Sequence, residues 1–273
     1  MIIGNKSEIM RRIILKLIKY EKFTDDLKEK LLNYNQVTGL VAVGSMSKQD
    51  HLPDEWSDHD FFVIVKSGYQ KEFRENLSWL PDFENILLSF QETEHGLKVF
   101  YNNGHLIEFA VFDQEELSLA KINSYRILID KTNIEKNIEK IKDTTTAQTS
   151  SYSDNELLIE QFITNLIVGI GRYNRGEIIS SHQFVKASAL KKLLLLIEKN
   201  NDLDKNEILD NLDPLRRFEF VYPELGAEIN NLLLKPIPKA AEELLNILKR
   251  ELPEEIKIKH EKSINIVFEK YLK

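Results

Sequence analysis

The 273 residues are enough for one large domain or for two ordinary domains, each with its own core. An apolar content of 42% and a charged content of 30% are those of a soluble globular protein, and no apolar run approaches the length of a membrane span. The net charge of −7, from 37 basic and 44 acidic residues, disfavours a grip on a long nucleic acid, and the absence of cysteine excludes disulfides, thiolate catalysis and cysteine-ligated metals.

The N-terminal segment is predicted to be a helix. Over Ser7–Tyr34 apolar side chains recur at helical spacing, with an irregularity expected near Phe23-Thr24. Charged residues interrupt the start of the chain before the core of a signal peptide can form: Lys6, Glu8, Arg11 and Arg12. The sequence therefore predicts a cytoplasmic protein without a targeting segment.

Two buried strands are predicted next, with a polar connection between them. Val37–Val43 and Phe61–Val65 are short apolar runs rich in β-branched and aromatic residues. Gly44-Ser45 follows the first strand directly. A residue without Cβ lets backbone N–H groups approach an anion closely, and the neighbouring hydroxyl adds a donor. This turn is therefore a candidate anion site.

Asp58 and Asp60 stand at the other end of the connection, where the chain enters the second strand. Alternate residues of an extended backbone share a face, so both carboxylates are expected on one face. Adjacent carboxylates repel each other unless a cation neutralises them, and Mg²⁺ binds one or two carboxylates together with substrate phosphates. The alternative is a solvated loop in which Ser57 or Asp58 caps a local turn.

A third carboxylate, Glu108, lies in a later strand. After Val65 the sequence predicts helices interleaved with strands: Tyr69–Leu80, Ile86–Phe90, Lys98–Tyr101, Leu106–Phe112, Gln114–Leu119, Tyr125–Asp130 and Asn133–Lys142. Glu108 is a carboxylate inside an otherwise apolar strand, and burying it without a partner would cost on the order of several kcal/mol. We therefore expect Glu108 to serve a function; placement on an edge, or pairing with one lysine, is the alternative.

A polar, Ser/Thr-rich stretch, Asp143–Tyr152, predicts the boundary between two domains, residues 1–145 and 146–273. A capping box, Ser153-x-x-Glu156, opens the second domain. From there on the pattern is helical, with further helices predicted at Gln183–Asn200, Lys205–Asn211, Gly226–Leu234, Pro238–Leu252 and Glu255–Tyr271.

The order of strand, Gly44-Ser45, twelve residues, Asp58-x-Asp60 and strand resembles the signature of the DNA polymerase β-like nucleotidyltransferase superfamily. With its helical second half, the chain resembles the nucleotidyltransferases that act on lincosamide and aminoglycoside antibiotics. The resemblance implies an α/β (α+β) nucleotidyltransferase core with a mixed β-sheet, followed by an all-helical C-terminal bundle domain that binds substrate.

The resemblance also implies roles for particular residues. Asp58, Asp60 and Glu108 match the catalytic, Mg²⁺-binding carboxylates, and Glu108 is either a metal ligand or the general base. Gly44 and Ser45 match the turn that holds the phosphates of the nucleotide.

Further candidates for nucleotide or acceptor binding are less closely tied to the signature. Ser57 lies beside Asp58, and Lys186 is the candidate for a lysine of the helical domain that binds the triphosphate, although a solvent-exposed position on a helix is its alternative. Other basic and aromatic candidates, each with an ordinary surface or core position as alternative, are Arg172, Arg175, Arg216, Arg217, Tyr173 and Trp56.

The implied activity is transfer of a nucleoside monophosphate, AMP from ATP or from another nucleoside triphosphate, to a hydroxyl of a small molecule with release of pyrophosphate. The expected partners are the nucleotide and a small-molecule hydroxyl acceptor, without a long nucleic acid or a membrane; a homodimer is left open because the family often places substrate between two subunits. Two alternatives are a nucleotide-sensing or partner-binding module without turnover, and an enzyme that nucleotidylates a protein side chain.

Overall fold

The computed structural model describes residues 6–49, 51–151, 154–201 and 208–272, with the side chains of these ranges except those of residues 6–13, 148–151, 255 and 256. The chain divides into two compact units, Met1–Thr146 and Ala147–Lys273. Within the described ranges no helix is both long and apolar enough to cross a membrane.

The first unit is built around a mixed sheet. Its strands, in chain order, are β1 (Val37–Val43), β2 (His59–Val65), β3 (Ile86–Gln91), β4 (Gly96–Tyr101), β5 (Leu106–Phe112) and β6 (Tyr125–Asp130). Across the sheet they lie in the order β3-β4-β5-β2-β1-β6. β2 and β5 are parallel neighbours, whereas all other neighbouring pairs are antiparallel. The starts of β2 and β5 therefore lie side by side.

One face of this sheet is covered by helix α1 (Lys6–Leu32). Tyr20, Phe23 and Leu27 recur at helical spacing and belong to the buried cluster that includes the inward side chains of β1, β2, β4 and β5. The predicted irregularity near Phe23-Thr24 is wrong, because the Thr24 hydroxyl donates to the Tyr20 carbonyl at 3.3 Å inside an unbroken helix.

The opposite face is covered by α3 (Glu135–Ser151), whose Ile138 and Ile141 pack with Ile64 and Phe112. Helix α2 (Gln70–Glu75) follows β2 in the chain and is shorter than the predicted helix Tyr69–Leu80.

The Ser/Thr-rich stretch Asp143–Tyr152 is helical as far as Ser151, which its composition did not predict. The hydroxyls of Thr144 and Thr145 donate to the carbonyls four residues earlier, each at 2.8 Å. These bonds satisfy the polar side chains within the helix, so the helix does not end where the composition changes.

The second unit is helical. Its helices are α4 (Asn155–Asn174), α5 (Ile178–His182), α6 (Leu190–Asn200), α7 (Phe218–Val221), α8 (Pro223–Leu233), α9 (Ile237–Glu251) and α10 (Glu254–Tyr271), and a π-helical segment, Gln183–Ala189, joins α5 to α6. The apolar faces of α4, α6, α8, α9 and α10, together with residues of α7 and of the π-helical segment, form one buried cluster. The mixed sheet followed by a helical region confirms the predicted fold class.

The start of α4 differs from the predicted capping box. Asp154 is the residue before the helix, and its Oδ1 accepts from the Glu156 amide at 3.3 Å. Ser153 of the predicted box lies outside the described residues, as does the beginning of the predicted helix Lys205–Asn211.

Candidate active site

The turn after β1 brings Gly44 against Asp60. Residues Gly44–Ser47 form one short 3₁₀ turn, and Gly44 has a φ of +54°, in the left-handed region that favours glycine. A Cβ on Gly44 would lie 2.9 Å from Oδ2 of Asp60. The absence of a side chain therefore allows this close approach, and the structure places both predicted residues at one end of β1 and β2.

Asp60 and Glu108 are neighbours across the parallel strands. They are paired in the β2–β5 register, and neighbouring strands lie about 4.8 Å apart. β2 begins at His59, two residues before the predicted strand Phe61–Val65, so Asp60 lies inside the sheet. The register, which the sequence alone does not give, brings these two carboxylates to the same part of the sheet.

Glu108 is less buried than its sequence context predicted. Its side chain is 37% exposed, and its Oε1 lies 3.0 Å from Nζ of Lys98, which also reaches Glu92 at 3.2 Å. The two glutamates raise the pKa of Lys98 through hydrogen bonds. The expectation of a buried carboxylate was therefore wrong, because Lys98 on the adjacent strand β4 provides the partner that the alternative interpretation foresaw.

Asp58 lies just before β2, outside the sheet, and its backbone is tied to α1. Its carbonyl accepts a hydrogen bond from the hydroxyl of Tyr20 at 3.0 Å. The same hydroxyl lies 3.4 Å from Oγ of Ser45. Burial raises the pKa of Tyr20, the hydrogen bond with Ser45 lowers it, and the negative charges of Asp60 and Asp58 raise it further. The Ser45 hydroxyl and the Asp58 carbonyl thus contact one phenol, on which the charges of Asp60 and Asp58 also act. The sequence did not identify this tyrosine.

His59, between the two aspartates, points to the opposite face and is fully buried. Its Nδ1 lies 2.7 Å from Nε2 of His105, and its Nε2 lies 3.0 Å from the Tyr20 carbonyl and 3.2 Å from Oγ1 of Thr24. Burial lowers the pKa of His59 to about 3, with a smaller lowering from His105, whereas the bond to Tyr20 acts in the opposite direction. Burial also lowers the pKa of His105 to about 4. Both imidazoles are neutral at neutral pH.

These supporting residues left only indirect signals in the sequence. Alternation along β2 puts His59 on the face opposite Asp58 and Asp60, and helical spacing puts Tyr20 on the buried face of α1. Both patterns are also typical of ordinary core residues, so neither one indicated a contact with the candidate site.

Ser57 makes a local contact in the loop before β2. Its hydroxyl accepts from the Asp54 amide at 2.9 Å and donates to Oδ1 of Asp54 at 3.1 Å. Oδ1 of Asp54 also accepts from the Trp56 amide, and the Trp56 ring is 83% exposed. For Ser57 the structure thus shows the local loop capping that was its alternative.

Lys186 belongs to the second unit, in the π-helical segment. Its Nζ donates to the carbonyls of Leu233 and Lys235 at 2.7 and 2.6 Å, at the end of α8. Burial lowers the pKa of Lys186. Phosphate binding by Lys186 stays a prediction. The arginines named with it contact acidic partners: Arg172 and Arg175 with Glu177, and Arg216 and Arg217 with Asp210.

The carboxylate oxygens at this end of the sheet are of the ligand type that a hard cation such as Mg²⁺ prefers. No three His, Cys, Asp or Glu side chains in the described part of the chain are arranged so as to hold a metal ion. Mg²⁺ needs only one or two carboxylates when substrate phosphates supply further oxygens. Asp58 and Asp60 provide two carboxylates near one phenol, beside a turn where a glycine leaves room for Asp60.

A protein-family model for streptomycin adenylyltransferase matches residues 19–209, which include the second half of α1, the whole sheet and the first helices of the second unit. The chain belongs to the streptomycin adenylyltransferase family. Membership confirms the resemblance predicted from Gly44-Ser45 and Asp58-x-Asp60, and it assigns the chain to a family of nucleotidyl-transferring enzymes.

Two solved structures resemble this family member over most of their length. One is an aminoglycoside 6-adenyltransferase from Bacillus subtilis, at 12% identity, with 88% of this chain and 96% of that chain covered and a TM-score of 0.30. The other is the E. coli MS115-1 CdnC:HORMA-deltaN complex, at 12% identity, with coverages of 90% and 91% and a TM-score of 0.30. No curated protein sequence matches the chain.

Proposed function

We propose that the protein transfers a nucleoside monophosphate, AMP from ATP, to a hydroxyl of a small cationic molecule, with an aminoglycoside such as streptomycin as the first candidate acceptor. The observation that supports this most directly is the approach of Asp60 to Gly44 beside Ser45, since it brings a carboxylate to the turn expected to bind phosphate. The name of the family and the net charge of −7 favour a cationic antibiotic as acceptor.

Each residue has a defined task in this proposal. The backbone of Gly44 and the hydroxyl of Ser45 bind the β- and γ-phosphates. Asp58 and Asp60 would hold Mg²⁺, which would neutralise charge on the phosphates and on the departing pyrophosphate. Ser57 and Lys186 are left out, because the hydroxyl of Ser57 and two donors of Lys186 are engaged in local contacts.

The transfer forms one bond and breaks another at the α-phosphorus. The acceptor hydroxyl oxygen attacks in line, and the bond from the α-phosphorus to the bridging oxygen breaks, so pyrophosphate leaves with the electron pair. Glu108, beside Asp60 in the register, takes the hydroxyl proton. Its Oε1 lies 3.0 Å from Nζ of Lys98 on the neighbouring strand.

The direct test is mass spectrometry of streptomycin and a panel of other aminoglycosides and lincosamides after incubation with the full-length protein, ATP and Mg²⁺. We expect an acceptor heavier by one adenylyl group and one pyrophosphate per product. Asp58→Asn should abolish the product, whereas Asp54→Asn, in the same loop, should retain it. Binding of ATP without product from any acceptor would contradict the small-molecule proposal.

The role of Glu108 has a matched control on the same lysine. Glu108→Gln and Glu92→Gln each remove one carboxylate from Lys98. We expect the first to lower the rate of transfer by roughly a hundredfold, as for loss of a general base, and the second to leave it unchanged. Equal effects would assign Glu108 only to the ion pair.

A nucleotide-binding module without turnover is the second candidate, and the ion pair between Glu108 and Lys98 favours it. Emission from Trp56 separates the two, because Trp56 is exposed near Asp58 and Trp79 is 2% exposed. In a Trp79→Phe background, ATP that changes Trp56 emission without yielding pyrophosphate with any acceptor would support the module. Labelled ATP added to cell lysate reveals an acceptor that is a protein side chain.

A further inference from the structure

Asp58 and the turn at Ser45 are linked through one side chain of α1, that of Tyr20. We propose that Tyr20, whose ring stacks on His59, is a positioning residue. Its hydroxyl holds the Asp58 backbone and the Ser45 hydroxyl in the relative positions needed for nucleotide and metal binding. The inference rests on the proposed function, because it assigns a purpose to the alignment of these two groups.

The Asp58 backbone needs such a support because it stands outside the sheet. β2 begins at His59, and the described residues between the turn and Asp58 belong to no helix or strand, so strand pairing does not hold Asp58 itself. The bond from the Tyr20 hydroxyl to the Asp58 carbonyl, at 3.0 Å, fixes the plane of the peptide that joins Asp58 to β2. This bond restrains the backbone from which the Asp58 side chain projects.

The Tyr20 ring is itself held on His59. The two rings are stacked, with centroids 3.7 Å apart and planes 20° from parallel, and Tyr20 is 7% exposed. Stacking of this kind fixes the height and tilt of the phenol relative to the start of β2. The Tyr20 hydroxyl therefore contacts Asp58 and Ser45 while its ring rests on His59, which belongs to the same strand as Asp60.

Hydrogen bonds set the orientation of His59. A carbonyl only accepts, so Nε2 of His59 carries the hydrogen and donates to Tyr20, with the hydroxyl of Thr24 as a second acceptor. In a neutral imidazole Nδ1 then accepts, and His105 donates to it through Nε2. Because Thr24 donates in turn to the Tyr20 carbonyl, the network closes on the residue that it supports.

Tyr20→Phe removes the hydroxyl and keeps the stacked ring. Tyr101→Phe is a matched control, because Tyr101 is 1% exposed and its hydroxyl also donates to a backbone carbonyl, that of Pro81, at 3.0 Å. Three measurements are made on the full-length protein in a Trp79→Phe background. They are thermal stability, amide hydrogen exchange of the peptide covering residues 46–60, and Trp56 emission during titration with ATP at several Mg²⁺ concentrations.

For Tyr20→Phe we expect faster exchange near Asp58 and a roughly tenfold rise in the Mg²⁺ concentration that half-saturates ATP binding, the size expected for one lost hydrogen bond to a positioned group. In active preparations kcat should fall while the KM for the acceptor stays constant. Tyr101→Phe should lose similar stability without these changes.

Unchanged exchange at residues 46–60 in Tyr20→Phe would overturn the inference, and so would effects equal to those of Tyr101→Phe, because they would show that Tyr20 only stabilises the core. The exchange measurement needs neither nucleotide nor acceptor. If the wild-type protein neither binds ATP nor transfers AMP, the proposed function fails while exchange still decides whether Tyr20 holds Asp58.

Discussion

The two ends of β5 carry polar clusters of opposite character. At its start, His105 joins His59 and Tyr20 in a network whose two imidazoles are neutral. Past its end, Arg74 contacts Glu116 at 2.9 Å, His95 at 2.9 Å and the Val111 carbonyl at 2.6 Å. The second cluster contains both an acidic and a basic side chain, whose charges pair with each other. The first adds no positive charge beside Asp58, so it supports the carboxylate without neutralising it.

This difference separates residues that stabilise the fold from residues that arrange a site. Removing one member of a buried ion pair lowers the stability of the protein, because the other charge is left buried without its partner. A neutral support alters the geometry of the groups that it holds. Substitutions at the two ends of β5 should therefore change different measured quantities.

The largest expected effect is on activity at the start of the sheet. Asp60→Asn should lower the rate of transfer by roughly a thousandfold, about 4 kcal/mol in the transition state, because it removes one of the two carboxylates proposed to hold the Mg²⁺ that would neutralise charge on the phosphates. Steady-state kinetics with the acceptor identified by mass spectrometry measures this. A variant with near wild-type kcat would remove Asp60 from the site.

At the other end of β5, Arg74→Met should mainly lower stability. The Arg74 side chain is 14% exposed, and its loss removes the ion pair with Glu116 and the hydrogen bond to the Val111 carbonyl. We expect a decrease of about 3 kcal/mol in the free energy of unfolding, measured with denaturant, and unchanged kcat per folded molecule. A selective loss of activity would contradict the division between the two ends.

Gly44→Ala tests the contact with Asp60, and Gly104→Ala is its control. Both glycines have positive φ, +54° and +85°, so both variants pay a backbone cost of about 1–2 kcal/mol. A Cβ meets Asp60 at Gly44 and nothing within 4 Å at Gly104. Denaturant unfolding should therefore show an excess loss of about 1 kcal/mol for Gly44→Ala. Kinetics should show lost transfer for that variant alone; equal behaviour of the two would contradict the contact.

His59 makes stability depend on pH. Its pKa is about 3 in the fold against 6.5 as its ordinary value, so below pH 6.5 the unfolded chain binds a proton that the folded chain does not. The stabilisation is complete above pH 6.5 and is lost progressively as the pH falls towards 3. Between pH 7 and 5 the loss should be about 2 kcal/mol.

The matched variant for this pH dependence is His59→Gln, which keeps a donor towards Tyr20 but does not titrate. Denaturant unfolding at both pH values should show a smaller decrease for the variant than for the wild type. Equal decreases would mean that other groups account for the pH dependence.

Much of the fold was predictable because its signals are local. The predicted strands Val37–Val43, Leu106–Phe112 and Tyr125–Asp130 agree with β1, β5 and β6 in their bounds. One error concerns α3, where a polar composition was taken to end the helix. The threonine hydroxyls there donate hydrogen bonds to carbonyls of the same helix, so the helix continues. A composition shift alone does not end a helix whose side chains supply their own partners.

The amino-acid sequence by itself determined the family and the residues of the candidate site, because Gly44-Ser45 and Asp58-x-Asp60 keep their spacing along one continuous stretch. Only the tertiary structure decided their neighbours. Register places Glu108 beside Asp60 and gives it Lys98, and packing of α1 brings Tyr20 to Asp58. These contacts join residues far apart in the chain, and strand pairing and side-chain packing, rather than spacing in the sequence, determine which residues meet.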